Sequence, residues 1–107
     1  MGKDSQILDD LRAALALITP IERWCCQVYA RDKHERPIGA LDPKATQWCA
    51  VGALLHITQE EHTRMHDALD ALMPCWPYGV SRMNDYLGHA AVLALYTQAI
   101  ATVAAQD

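Results

Sequence analysis

Apolar residues recur at three- and four-residue spacing between Ser5 and Thr19, and charged residues fill the positions between them. This pattern is typical of an amphipathic helix that buries one face. Pro20 follows directly, and proline disfavours helical backbone in the residue before it. We therefore predict a first helix from Ser5 to about Thr19.

The segment from Asp42 to Ile57 becomes apolar on nearly every side after its first turn. Asp42 followed by Pro43 favours a helix start, because the carboxylate can accept from free backbone donors and proline loses no bond there. We predict a central, buried helix that packs against the last helix. Gly52 lies in its small-residue stripe and costs about 1 kcal/mol relative to Ala, so we expect another backbone to approach closely there.

Two further helices follow from capping patterns. Thr58 and Glu61 occupy the reciprocal positions of a capping box, which predicts a third helix running to about Met73. Asn84 or Asp85 could cap a last helix that continues to about residue 104.

Residues 21–41 give a weaker pattern. A polar turn at 32–37 separates residues 27–31 from residues 37–41, which allows one short β-hairpin packed on helices. The predicted fold class is therefore mainly α, a compact bundle of four to five helices with at most one short hairpin. The length of 107 residues predicts a single domain, 1–107.

Composition narrows the classes of function. The formal net charge is -4 and the basic residues are scattered, which argues against a nucleic-acid partner. The longest apolar run, residues 50–55, is too short to cross a bilayer. No export signal is visible at the N-terminus, so we expect a cytoplasmic protein with neither a nucleic-acid nor a membrane partner.

Cys49 and His89 form the first candidate site. A cysteine enzyme needs a thiolate made by a neighbouring histidine and a third group that orients the imidazole, and Asp85 or Asn84 could be that group. The alternative is that Cys49 fills the core, since the predicted helix places it about two turns from the helix start.

His62 and His66 form the second candidate site. Their spacing of four places both on one helix face, as zinc ligands require, and His56 and Cys75 could complete the set. The segment lacks the intervening glutamate of zincins, and paired histidines at this spacing also occur by chance.

Aromatic and polar side chains form a third candidate site, a pocket or interaction surface made by Trp48, Asn84, Trp76 and Tyr78. The alternative is that the aromatic residues supply much of the core of a small domain. Helix capping is the corresponding alternative for Asn84.

Several of these motifs together resemble a known family. Trp-Cys-Ala-Val-Gly-Ala-Leu at 48–54, Asn84-Asp85 and Gly88-His89 are similar to an uncharacterised family of small bacterial and phage proteins, a domain of unknown function. The resemblance covers about residues 24–100 and implies no catalytic residue.

The sequence thus predicts an interaction or accessory protein of bacterial or phage origin, without a cofactor, that binds a protein partner or a second copy of itself. The alternatives are a cysteine-dependent enzyme using Cys49 with His89, and a metal-binding regulator using His62 with His66.

Overall fold

The computed structural model describes residues 2–75 and 79–106, so Trp76 and Tyr78 lie outside the described residues. Within this part, the chain forms five α-helices and a three-stranded antiparallel sheet, which confirms the predicted mainly α class. The helices are α1 Lys3–Ile18, α2 Ala50–Thr58, α3 His62–Leu72, α4 Val80–Leu87 and α5 His89–Gln106. The strands are β1 Ala30–Arg31, β2 Pro37–Ile38 and β3 Gln47–Trp48.

Helix α1 is the central helix of the domain. Its apolar stripe, with Leu11 and Ile18 fully buried, packs against α2, α3 and α5. The buried carboxylate of Asp10 joins α1 to α3 by accepting two hydrogen bonds from the guanidinium of Arg64, at 2.6 and 3.1 Å. The predicted first helix is confirmed, with bounds shifted by one or two residues.

The predicted hairpin is also confirmed, although it is short. Ala30 pairs with Ile38 across the antiparallel β1–β2 ladder. The sequence did not indicate β3, which pairs with the other side of β1 through Ala30 and Trp48.

The prediction that a helix begins at Asp42 is wrong. Asp42 instead closes a local turn, in which its Oδ1 accepts from Lys44 N at 2.9 Å. The chain then enters the sheet, because Thr46 N donates to Arg31 O and Trp48 Nε1 donates to Ala40 O. Tertiary pairing with β1 therefore holds residues 47–48 extended, and α2 starts only at Ala50.

The close approach predicted at Gly52 is confirmed, but its partner is a loop and not the last helix. A Cβ on Gly52 would lie 1.9 Å from Tyr29 O, so only glycine fits there. Helix α2 packs mainly on α1, and α5 reaches its first turn through the Tyr96 hydroxyl, which donates to Ala50 O at 2.6 Å.

The predicted capping box before α3 is wrong, because neither Thr58 nor Glu61 occupies its predicted position. Thr58 is the buried last residue of α2, and its hydroxyl donates to Leu54 O. Glu61 is itself the N-cap of α3, because its carboxylate accepts from Thr63 N and Arg64 N.

The predicted last helix is divided into two. Gly88 has φ 89°, a backbone conformation that favours glycine, and it separates α4 from α5. Asn84 and Asp85 therefore lie inside α4 instead of capping the last helix.

Candidate functional site

The side chain of Asn84 joins α4 to two distant segments. Its Oδ1 accepts hydrogen bonds from Trp24 Nε1 at 2.7 Å and from Ala50 N at 2.9 Å, and its Nδ2 donates to Cys25 O at 3.0 Å. Ala50 is the first residue of α2, so Asn84 satisfies one of the backbone donors that a helix start leaves free. The hydrogen-bonding groups of the Asn84 side chain thus serve to hold the fold together.

Asp85, the next residue, holds a strained loop against α4. Its Oδ1 accepts from Gln27 N at 2.7 Å and from Asn84 Nδ2 at 3.2 Å. Gln27 has φ 72°, a left-handed conformation that is uncommon for residues other than glycine. The carboxylate therefore fixes the position of residues 27–29.

Cys49 lies at the N-cap of α2, and not two turns inside a helix as the sequence predicted. Its Sγ accepts a hydrogen bond from Gly52 N at 3.2 Å. Burial nevertheless raises the pKa of the Cys49 thiol, although hydrogen bonds from the backbone of Gly52 and Val51 act in the opposite direction. The thiol is therefore protonated near neutral pH.

His89 forms its hydrogen bond with a residue other than Cys49. Its Nε2 lies 2.7 Å from Ile18 O, and because a carbonyl oxygen only accepts, Nε2 carries the proton. The ring also packs on Trp24, with centroids 5.5 Å apart. Within the described residues, no hydrogen bond joins the His89 imidazole to Cys49. The two are linked only indirectly, because His89 packs on Trp24, which bonds to Asn84, which in turn bonds to the start of α2.

His62 and His66 lie on one exposed face of α3, with ring centroids 6.3 Å apart. His66 Nδ1 lies 3.3 Å from a carboxylate oxygen of Asp70. The proposed third ligand His56 faces Ala40 O instead. The described residues contain no group of three or more His, Cys, Asp or Glu placed to hold a metal ion.

Trp48 is buried, and its ring packs on His56 with centroids 4.8 Å apart. It therefore contributes to the core, which was the alternative interpretation of the aromatic set.

A pocket of about 240 Å³ opens between the Gln27–Tyr29 loop and α4. Two of the residues predicted from sequence, Cys49 and Asp85, lie on its wall. The others come from the loop and from the first turn of α4. The lining residues are Gln27, Val28, Tyr29, Cys49, Ser81 and Asp85. No sequence pattern indicated Gln27 or Ser81, because the two meet in one wall only after the loop packs on α4.

The fold and this pocket define a small helical domain with a three-stranded sheet and a cleft beside α4. Residues 2–102 match the model of a family of unknown function, DUF6197, and the chain belongs to that family. This confirms the resemblance to a domain of unknown function. Neither the curated proteins nor the solved structures contain a significant match. No helix in the described part of the chain is long and apolar enough to span a bilayer.

Proposed function

We propose that the protein is an interaction module, and that a partner protein docks on the surface formed by Tyr29, Asp85, Tyr86 and Leu87, here called the α4 surface. The observation that carries the proposal is the strong exposure of three large side chains on α4 and on the loop beside it. Tyr86 is 80% exposed, Tyr29 56% and Leu87 52%. Tyrosine is enriched at protein interfaces because it combines a large apolar ring with a polar end.

Single apolar side chains on a surface are ordinary, so what matters is how many of them α4 and its neighbouring loop carry. Within the described residues, five large and mostly apolar side chains are exposed by half or more. Three of them belong to the α4 surface, where Asp85 holds the loop that carries Tyr29. A rigid, partly apolar surface beside a cleft is well suited to bind a protein.

The chemistry of Cys49 favours this proposal over the cysteine enzyme. A nucleophilic cysteine needs a lowered pKa or an adjacent base. Burial raises the pKa of the Cys49 thiol, and His89 bonds to Ile18 O. A metal-binding regulator is supported by the pairing of His62 and His66 alone. Cytoplasmic location and bacterial or phage origin stay predictions from the sequence.

The test compares three versions of the tagged chain as bait in a lysate of the source cells. These are the wild type, the double variant Tyr86→Ser/Leu87→Ser and the control Met73→Ser. Met73 is also exposed. It lies outside α4, and the next residue, Pro74, lines a groove with Gln98 and Gln106 of α5.

We expect a partner that is identified by mass spectrometry and that binds again as a purified protein. It should be retained by Met73→Ser and lost by the double variant. Binding of that partner equally to all three baits, or a monomer by light scattering with no reconstituted partner, would contradict the proposal.

A further inference from the structure

The pocket beside α4 carries a negative charge that no cation of the described residues neutralises. Among the residues that the structure describes, Asp85 is the only charged one on its wall. Its Oδ1 accepts from two neutral donors, Gln27 N and Asn84 Nδ2. These bonds hold the carboxylate in one orientation without cancelling its charge, while Oδ2 accepts no hydrogen bond from the residues that the structure describes.

Two more residues whose side chains can accept hydrogen bonds line the same pocket, Ser81 through its hydroxyl and Gln27 through its amide. Neither side chain forms a hydrogen bond inside the ranges 2–75 and 79–106. Three acceptors around one cavity suit a group with three N–H donors, and the lysine ammonium is such a group. A guanidinium fits less well, because its parallel N–H groups use both carboxylate oxygens and Oδ1 already has two donors.

The walls suit the rest of a lysine side chain. Tyr29 exposes much of its ring, and an aromatic face attracts a cation placed near it. Cys49 is buried and uncharged at neutral pH, so it offers an apolar contact for methylene groups. The volume of about 240 Å³ lies below the roughly 300 Å³ at which pockets for small-molecule ligands begin, and it leaves room for an inserted side chain.

We infer that this pocket binds the side chain of a lysine that the partner protein presents to the α4 surface. The inference rests on the proposed function, since the lysine belongs to the docked partner. Asp85 Oδ2 accepts from the ammonium, and Ser81 and Gln27 accept its remaining protons. The specificity is for a primary ammonium carried on a peptide.

The experiment follows backbone amide resonances of the full chain by NMR during titration with short peptides. The probe is acetyl-Gly-Lys-Gly-amide, and its uncharged counterpart carries norleucine in place of lysine. Asp85→Asn is the diagnostic variant, because the amide oxygen can still accept from Gln27 N while the charge is lost. Asp70→Asn is the matched control, since Asp70 is an exposed carboxylate on α3.

We expect saturable shifts at Gln27, Ser81 and Asp85 with the lysine peptide and none with the norleucine peptide. Asp85→Asn should weaken binding about fivefold, the effect of roughly 1 kcal/mol at an exposed ion pair, and Asp70→Asn should leave it unchanged. Equal binding of both peptides, an unchanged affinity in Asp85→Asn, or tighter binding of free agmatine than of the peptide would overturn the inference.

The outcome is separable from that of the proposed function. If a partner requires Tyr86 and Leu87 but binds Asp85→Asn with normal affinity, the interaction surface stands and the lysine site is refuted. If instead the lysine peptide binds the pocket but all three baits retain the same proteins, the lysine site stands and the proposed interaction surface is refuted.

Discussion

Asn84 is a fully buried amide whose hydrogen bonds reach residues far away in the sequence. Its partners belong to two separate segments, Trp24 with Cys25 and Ala50 at the start of α2, and all three bond to one side chain. Without that side chain, two donors and an acceptor would be left in an interior with little access to water. A buried polar group that loses its partner costs about 1–3 kcal/mol.

Replacing Asn84 by alanine should therefore lower the free energy of unfolding by about 3 kcal/mol or more. Urea denaturation followed by tryptophan fluorescence measures the change. Gln98→Ala is the control, because Gln98 is an exposed residue of α5, and its effect should stay within about 0.5 kcal/mol. A loss below 1 kcal/mol in Asn84→Ala would show that the amide is not the link between these segments.

At the scale of elements, the main constraint is the distance between α2 and the loop that carries Tyr29. Cys49 N donates to Tyr29 O at 3.1 Å, and the same carbonyl lies against Gly52. The wall of the pocket thus depends on the absence of a side chain at one position of α2. The contact explains why a glycine stands in the first turn of α2.

Gly52→Ala should destabilise the protein near the upper end of the roughly 1–3 kcal/mol typical of overpacking, because a backbone atom opposes the new methyl group. It should also shift the amide resonances of residues 27–29. Gly39→Ala is the matched control: no atom lies within 4 Å of its Cβ position, so we expect a change within about 1 kcal/mol. Equal unfolding midpoints for the two variants would refute the close approach.

At the scale of the whole molecule, three buried weak acids lie near the start of α2. Burial raises the pKa of the Cys25 thiol from 9.0 to about 12, raises that of Cys49, and raises that of Tyr96 well above 10.0. All three are uncharged in the folded protein at neutral pH. In the unfolded chain they would release their protons at lower pH than in the fold.

Stability should therefore be insensitive to these groups below about pH 9 and fall between about pH 9 and pH 12, where the unfolded chain loses protons that the folded chain retains. Urea midpoints measured from pH 7 to pH 10.5 check this. In Cys25→Ala, the urea midpoint should fall less steeply with rising pH. A wild-type midpoint that stays constant up to pH 10.5 would contradict the prediction.

Periodicity predicted those elements whose conformation depends on local pattern. The apolar stripe of α1 was sufficient to predict that helix, and the polar turn between β1 and β2 indicated their pairing. Gly52 in an apolar helix indicated a close backbone neighbour. Local pattern misplaced the start of α2, because Asp42-Pro43 forms a turn and the next residues pair with β1.

The sequence by itself determined the helical class and the buried faces, because helical spacing acts locally. Gly52 indicated a close neighbour, but only the fold made that neighbour Tyr29 O. Only the tertiary structure decided which residues meet. Cys49 and Asp85 line one pocket, while His89 bonds to the end of α1. These contacts join residues tens of positions apart, and their geometry depends on how α1, α4 and the 27–29 loop pack together.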